Sequence, residues 1–194
     1  VLGVSTWFEE ESLSDPILAF LNNGGSVLAT PGEPYSSSVS VLKSAGLLNY
    51  NFIRVAGGAN QTRNPFRVAA LDEDSQLADV FAGKAARDLY LSAIHRFGIF
   101  RTGSGAEEVS VPLRDREGRP LALVKNYNAG GRFVFLPFRM NTGWTDLPLR
   151  NSFLPLLMEL VQGGKDNVIK GWPVLEAGEA LKGAENDFLA ETPG

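Results

Sequence analysis

The stretch that most constrains what this chain can fold into is Gly131 to Val161, GRFVFLPFRMNTGWTDLPLRNSFLPLLMELV. Phe133, Val134, Phe135 and Leu136 form a short apolar run rich in strand-forming residues, launched from an Asn128-Ala129-Gly130-Gly131 turn. Leu154, Leu157, Met158 and Val161 then recur at the three-to-four spacing of one helix face. A buried strand followed by an amphipathic helix leaves the polar and aromatic residues Arg139 to Asp146 at the handover between them. In open α/β sheets ligands bind at that edge, outside the carboxyl ends of the strands.

Upstream the chain alternates between strand and helix signals. Val1 to Ser5 reads as a strand, and Ser12 or Ser14 as the cap of a helix through Ile17, Leu18, Phe20 and Leu21 that Gly24-Gly25 ends. Ser26 to Thr30 is a second strand and Pro31-Gly32-Glu33-Pro34 a sharp loop. Ser36 to Ser38 offer caps for a short helix through Val39, Val41 and Leu42. This rhythm predicts a parallel sheet with right-handed crossovers. Phe52 to Val55, Phe66 to Ala70 and Ile94 to Arg101 read as further strands, and Leu77 to Phe81 as a short helix. Val109 to Leu113 and Leu121 to Asn126, joined by Asp115-Arg116-Glu117-Gly118, predict a hairpin that continues into Arg132 to Phe138. After Gln162 the pattern weakens. Gly163 to Asn167 reads as a linker, and Trp172 to Leu175 and Phe188 to Ala190 as short strands of a β-rich tail. The expected units are therefore 1–162 and 163–194.

Composition removes several function classes. A chain of 194 residues can bury about 70% of the surface its unfolded form exposes, so a core without staples is feasible. The net charge of −4, with Lys and Arg scattered along the chain, provides no basic field for phosphate backbones, and no nucleic-acid partner is expected. No apolar run approaches the ~20 residues that span a bilayer. Val1-Leu2-Gly3-Val4, without an initiator methionine, resembles the middle of a strand and suggests a domain of a longer protein. The chain has no cysteine, which removes disulfides, thiolate metal sites and a cysteine nucleophile. Its sole histidine, His95, has no ligand-spaced neighbours. Leu71-Asp72-Glu73-Asp74 lacks the glycine and terminal glutamate of a calcium loop and reads as a helix-capping turn. The glycine pairs at 57–58, 130–131 and 163–164 match no phosphate-binding pattern. No metal and no cofactor are expected.

Three segments, in this order, resemble the class I glutamine amidotransferase-like domain of bacterial membrane-anchored proteins of the BatA type. Those proteins are often described as aerotolerance regulators and carry a von Willebrand A-like domain. The segments are LAFLNNGGSVLATPG (Leu18 to Gly32), RPLALVKNYNAGGRFVFLPF (Arg119 to Phe138) and WTDLPLRNSFLPLLMELV (Trp144 to Val161). The tail Val174 to Gly194 looks like the β-rich segment that follows in that family. The resemblance implies an α/β, three-layer, mostly parallel sheet of the flavodoxin-like or amidotransferase-like kind, with an antiparallel edge hairpin and a short β tail. It also implies the periplasmic side of the bacterial inner membrane, with membrane attachment only through parent segments outside this chain. Amidotransferases of this fold use a cysteine activated by a histidine backed by a carboxylate. With no cysteine here, the resemblance implies a domain that keeps the fold without the active site. Its partner would be another protein or other domains of the same parent chain.

Two further readings stand beside that one. A hydrolase would use Ser104, in Gly103-Ser104-Gly105, with His95 and Asp72; yet no apolar helix follows Ser104 as a nucleophile elbow requires. A small-ligand or carbohydrate-binding module would use Trp7, Tyr35 and Trp144. The loop Arg139 to Asp146 is the best binding candidate, because Trp and Arg are favoured interface anchors. Its members Arg139, Asn141, Trp144 and Asp146 would be joined at the sheet edge by Trp7, Glu33 and Tyr35. The structural alternative is that Trp144 plugs the edge while Thr145 or Asp146 satisfies backbone donors.

Overall fold

The computed structural model describes residues 2–4, 14–58, 64–73, 75–81, 83–103 and 108–163. Along the chain these form β1 (Leu2–Val4), α1 (Ser14–Asn22), β2 (Ser26–Pro31), α2 (Tyr35–Ser44), β3 (Tyr50–Gly57), β4 (Ala70–Leu71), α3 (Gln76–Val80), α4 (Lys84–Leu91), β5 (Arg96–Thr102), β6 (Val109–Arg114), β7 (Pro120–Asn126), β8 (Arg132–Phe135) and α5 (Phe153–Gln162). Among these residues no helix is long and apolar enough to cross a membrane.

β8 joins the two halves of the main sheet. Its Phe133, Val134 and Phe135 are buried, as the continuous apolar run requires. On one side it pairs in parallel with β2, Val27 opposite Phe133 and Ala29 opposite Phe135. On the other it pairs antiparallel with β7, Val124 opposite Val134. The sheet order is β1-β2-β8-β7-β6-β4. Helices α1, α2 and α5 pack on β2, and α5 also on β8. One hydrophobic cluster runs from Leu21 of α1 through the strands to Leu160 of α5.

The α/β class and the β6–β7–β8 meander match the sequence reading, and the balance within the sheet does not. β1–β2 and β2–β8 are parallel, whereas β8–β7, β7–β6 and β6–β4 are antiparallel, so the sheet is mixed rather than mostly parallel. The parallel rhythm stops after β2. Instead of continuing the sheet, β3 pairs antiparallel with β5 in a separate two-stranded ribbon. There β3 leaves Asn51, Ile53 and Arg54 exposed, whereas an inner parallel strand is covered on both faces. The expected strand Phe66 to Ala70 shrinks to a bridge from Phe66 to Ile94 and the two residues of β4.

Two local expectations also shift. The serines at 36–38 lie inside α2, whose N-cap is Pro34; Ser38 Oγ instead accepts from Gly32 N at 3.2 Å and donates to the Pro34 carbonyl at 3.1 Å. In α5 the buried stripe is Leu156 and Leu160, with Phe153, Leu157 and Val161 packed beside them, while Leu154 and Met158 are exposed. That helix is apolar nearly all round, so the spacing of Leu154 and Met158 selected the wrong face. Of the proposed tail, residues 164–194 lie outside the described residues.

Candidate functional site

Because β2 and β8 are parallel neighbours, the loops that follow Pro31 and Phe135 emerge at one edge of the sheet. Glu33 and Tyr35 arrive from the first loop; Arg139, Asn141, Trp144 and Asp146 arrive from the second. The sequence placed these residues together, and the structure does so too. Trp7 and Phe8, which follow β1, lie outside the described residues.

Two aromatic rings form the base of the edge. Tyr35, the first residue of α2, stacks on Trp144 with centroids 5.9 Å apart and planes 7° from parallel. Both are buried. The Tyr35 hydroxyl donates to the Pro137 carbonyl at 3.0 Å, and burial raises its pKa far above the ordinary phenol value, so it remains a donor. The Trp144 carbonyl accepts from His95 N at 2.7 Å and from Arg96 N at 3.3 Å, which ties the loop to the start of β5. Thr145, fully buried, donates its hydroxyl to the Ala93 carbonyl at 2.9 Å and accepts from Leu147 N at 3.1 Å. Asp146 accepts from Ala93 N at 2.6 Å and pairs with Arg150. Trp144, Thr145 and Asp146 therefore hold the edge together, as the structural alternative expected. A sugar-stacking role needs an open ring face, and Tyr35 and Trp144 are both buried.

The charged layer lies above this base. The Arg139 guanidinium lies over Trp144, 5.0 Å from its centroid, and donates to the Gly32 carbonyl at 2.6 Å. It also pairs with Glu33, whose side chain is 76% exposed. The hydrogen bond from Arg139, then its charge, and more weakly the charge of Arg96, hold the Glu33 carboxyl below the usual carboxylate range. Asn141 is exposed and turns the loop, its Oδ1 accepting from Gly143 N at 3.1 Å.

Arg96 is the member that sequence reasoning missed. It is exposed, and its guanidinium lies 4.6 Å from the Trp144 centroid. Strand alternation places Arg96 on the same face of β5 as Gly98, which abuts Tyr35. Only the long-range approach of α2 to β5 reveals this, and no local signal carries it.

Of the residues proposed for catalysis, His95 and Asp72 are among the described residues. His95 Nδ1 is buried without a hydrogen-bond partner, so no carboxylate orients that nitrogen. Asp72 belongs to the turn before α3, its carbonyl accepting from Ser75 N at 3.0 Å and Ser75 Oγ at 2.6 Å. Ser104 lies outside the described residues. Among the described residues no three His, Cys, Asp or Glu side chains are grouped to hold a metal ion.

A cleft of about 310 Å³ lies elsewhere, lined by residues that include Phe66, Arg67, Asp115, Glu117 and Arg119. Of its cations, Arg67 and Arg119 are committed to the fold, whereas Arg116 is exposed. Arg119 pairs with buried Asp115 at 2.5 Å and with Glu117 at 2.8 Å, and Arg67 donates to the Leu91 carbonyl. The edge beside Trp144 differs in that it presents an exposed guanidinium on a rigid aromatic base, an arrangement suited to recognising an anion or an interface partner. No protein-family model matches the chain, and no curated protein matches it.

Proposed function

We propose that this chain is a non-catalytic interaction module whose binding face is the Arg96–Trp144–Arg139 layer at the shared edge of β2 and β8. One observation carries the reading: Arg96 is exposed while the ring beneath it is buried and immobilised. The ring that supports the contact residue is already fixed by packing, and association then costs less side-chain entropy. The motif order that resembles the amidotransferase-like domain of BatA-type proteins supports the finer picture. In that picture the fold is flavodoxin-like and three-layered, without glutaminase chemistry, and it assembles with a protein partner or with other domains of its parent on the periplasmic side of the bacterial inner membrane. The β1–α1–β2 unit and the parallel β2–β8 pair are the part of the fold that agrees with such a picture.

The test is a cross-linked pull-down from detergent-solubilised membranes with three baits: the natural chain, Arg96→Glu and Asn141→Glu. Both substituted side chains are exposed, so folding should persist; Trp144→Ala is unsuited because Trp144 is buried. A partner retained by the natural chain and lost by both variants, with unchanged urea melts, is the expected outcome. Equal capture by all three baits removes this edge as the interface.

A further inference from the structure

We infer that the partner of this edge is acidic: Arg96 and Arg139 share Trp144 as a two-guanidinium seat for a partner's carboxylate, and Glu33 occupies part of that seat in the free chain. This rests on the interaction reading above and specifies its chemistry. The chain as a whole carries a net charge of −4, yet the described part of this edge gathers the guanidiniums of Arg96, Arg139 and Arg150 against the carboxylates of Glu33 and Asp146, and Asp146 is taken up by Arg150. Among the described residues Arg96 forms no ion pair. Resting on an aromatic face uses the flat side of a guanidinium and leaves its in-plane N–H groups free, the geometry that matches a carboxylate in bidentate fashion.

Arg139 is set by different contacts. Its side chain is 18% exposed, pinned to the Gly32 carbonyl and to Trp144, with Nε buried and unpartnered. Only its pairing with Glu33 faces solvent freely. A surface ion pair of this kind contributes little and exchanges readily. A partner's carboxylate arriving at Arg96 would meet a competing carboxylate within reach, and displacing it would open the exposed arm of Arg139. Glu33 also argues for a carboxylate over a phosphate, because the seat already accommodates one.

Fluorescein-labelled hexaglutamate, followed by anisotropy against the intact chain at low salt, tests this directly. Saturable binding is expected, weakened at least about tenfold in Arg96→Gln and strengthened about threefold in Glu33→Gln, where the internal competitor is gone. Raising the salt should weaken it further. No saturable binding, equal binding by Arg96→Gln, or displacement of the label by uncharged hexaglycine would overturn the inference. Displacement by inorganic phosphate as effective as that by unlabelled hexaglutamate would also overturn it, reducing the seat to a general anion site. The two readings separate cleanly. If the membrane pull-down loses its partner with Arg96→Glu while hexaglutamate fails to bind, the interface stands and the acidic partner falls.

Discussion

At the scale of single residues, the edge is built around a contact between Gly98 and Tyr35. A Cβ at position 98 would overlap the Tyr35 hydroxyl and crowd the Phe100 ring. The same few atoms hold the site's hydrogen bonds: Pro137 O accepts both Gly98 N, at 2.7 Å, and the Tyr35 hydroxyl, at 3.0 Å. Gly98→Ala should therefore cost about 1–3 kcal/mol through overpacking. Tyr35→Phe alone should cost only about 1 kcal/mol, because Pro137 O keeps the Gly98 donor and is not orphaned. The double variant should be less damaging than the sum by at least about 0.5 kcal/mol, since removing the hydroxyl opens space for the new methyl. Urea unfolding of the four proteins reads this coupling. Strict additivity would show that the hydroxyl is not what excludes a side chain at position 98.

At the scale of elements, the second loop is held from below by α4 and α5. The N-cap of α5, Ser152, makes no side-chain cap, and its backbone N–H donates instead to Asp88 Oδ2 of α4 at 2.9 Å. Arg150 extends the joint, pairing with Asp146 and donating to the Leu91 carbonyl at the end of α4 at 3.3 Å. The bond from Ser152 N is the largest cause holding the Asp88 carboxyl below its ordinary pKa. Asp88→Ala should then destabilise the chain by about 0.5–2 kcal/mol, the usual cost of losing a helix cap. The sign with pH follows from linkage. A carboxyl depressed on folding contributes stability that is complete above its unfolded pKa and disappears as the pH falls through the lower folded value. The gap between natural chain and Asp88→Ala, measured by thermal melting across a pH series, should be full at neutral pH and close in acid. A gap that persists once Asp88 is protonated would assign its role to packing instead.

At the scale of the whole molecule, the sequence announced elements better than their partners. Phe133 to Phe135 had to be a buried strand, and the Asp115 to Gly118 turn had to join two strands, because both signals are local. The destination of Tyr50 to Gly57 was not legible, since its β-forming residues fit a parallel sheet or a separate ribbon equally well. What decides is its pairing with β5, Phe52 opposite Phe100, across nearly fifty residues of chain. The site follows the same rule. Arg139 and Trp144 were legible as a polar aromatic loop at a strand end, but one tryptophan signals burial and binding alike, and Arg96 joins it only through tertiary contact. Catalysis has to be argued at this scale too, because a hydrolytic centre needs groups from several segments to converge. The described residues bring no carboxylate to His95 Nδ1, and none of the 194 residues is a cysteine. Amide hydrolysis by a cysteine nucleophile requires a thiolate activated by an oriented histidine. The purified chain incubated with glutamine should release no more ammonia than a blank without protein. Release above the blank that is lost in His95→Gln or Ser104→Ala would reverse that expectation and make the edge beside Trp144 the neighbour of an active site.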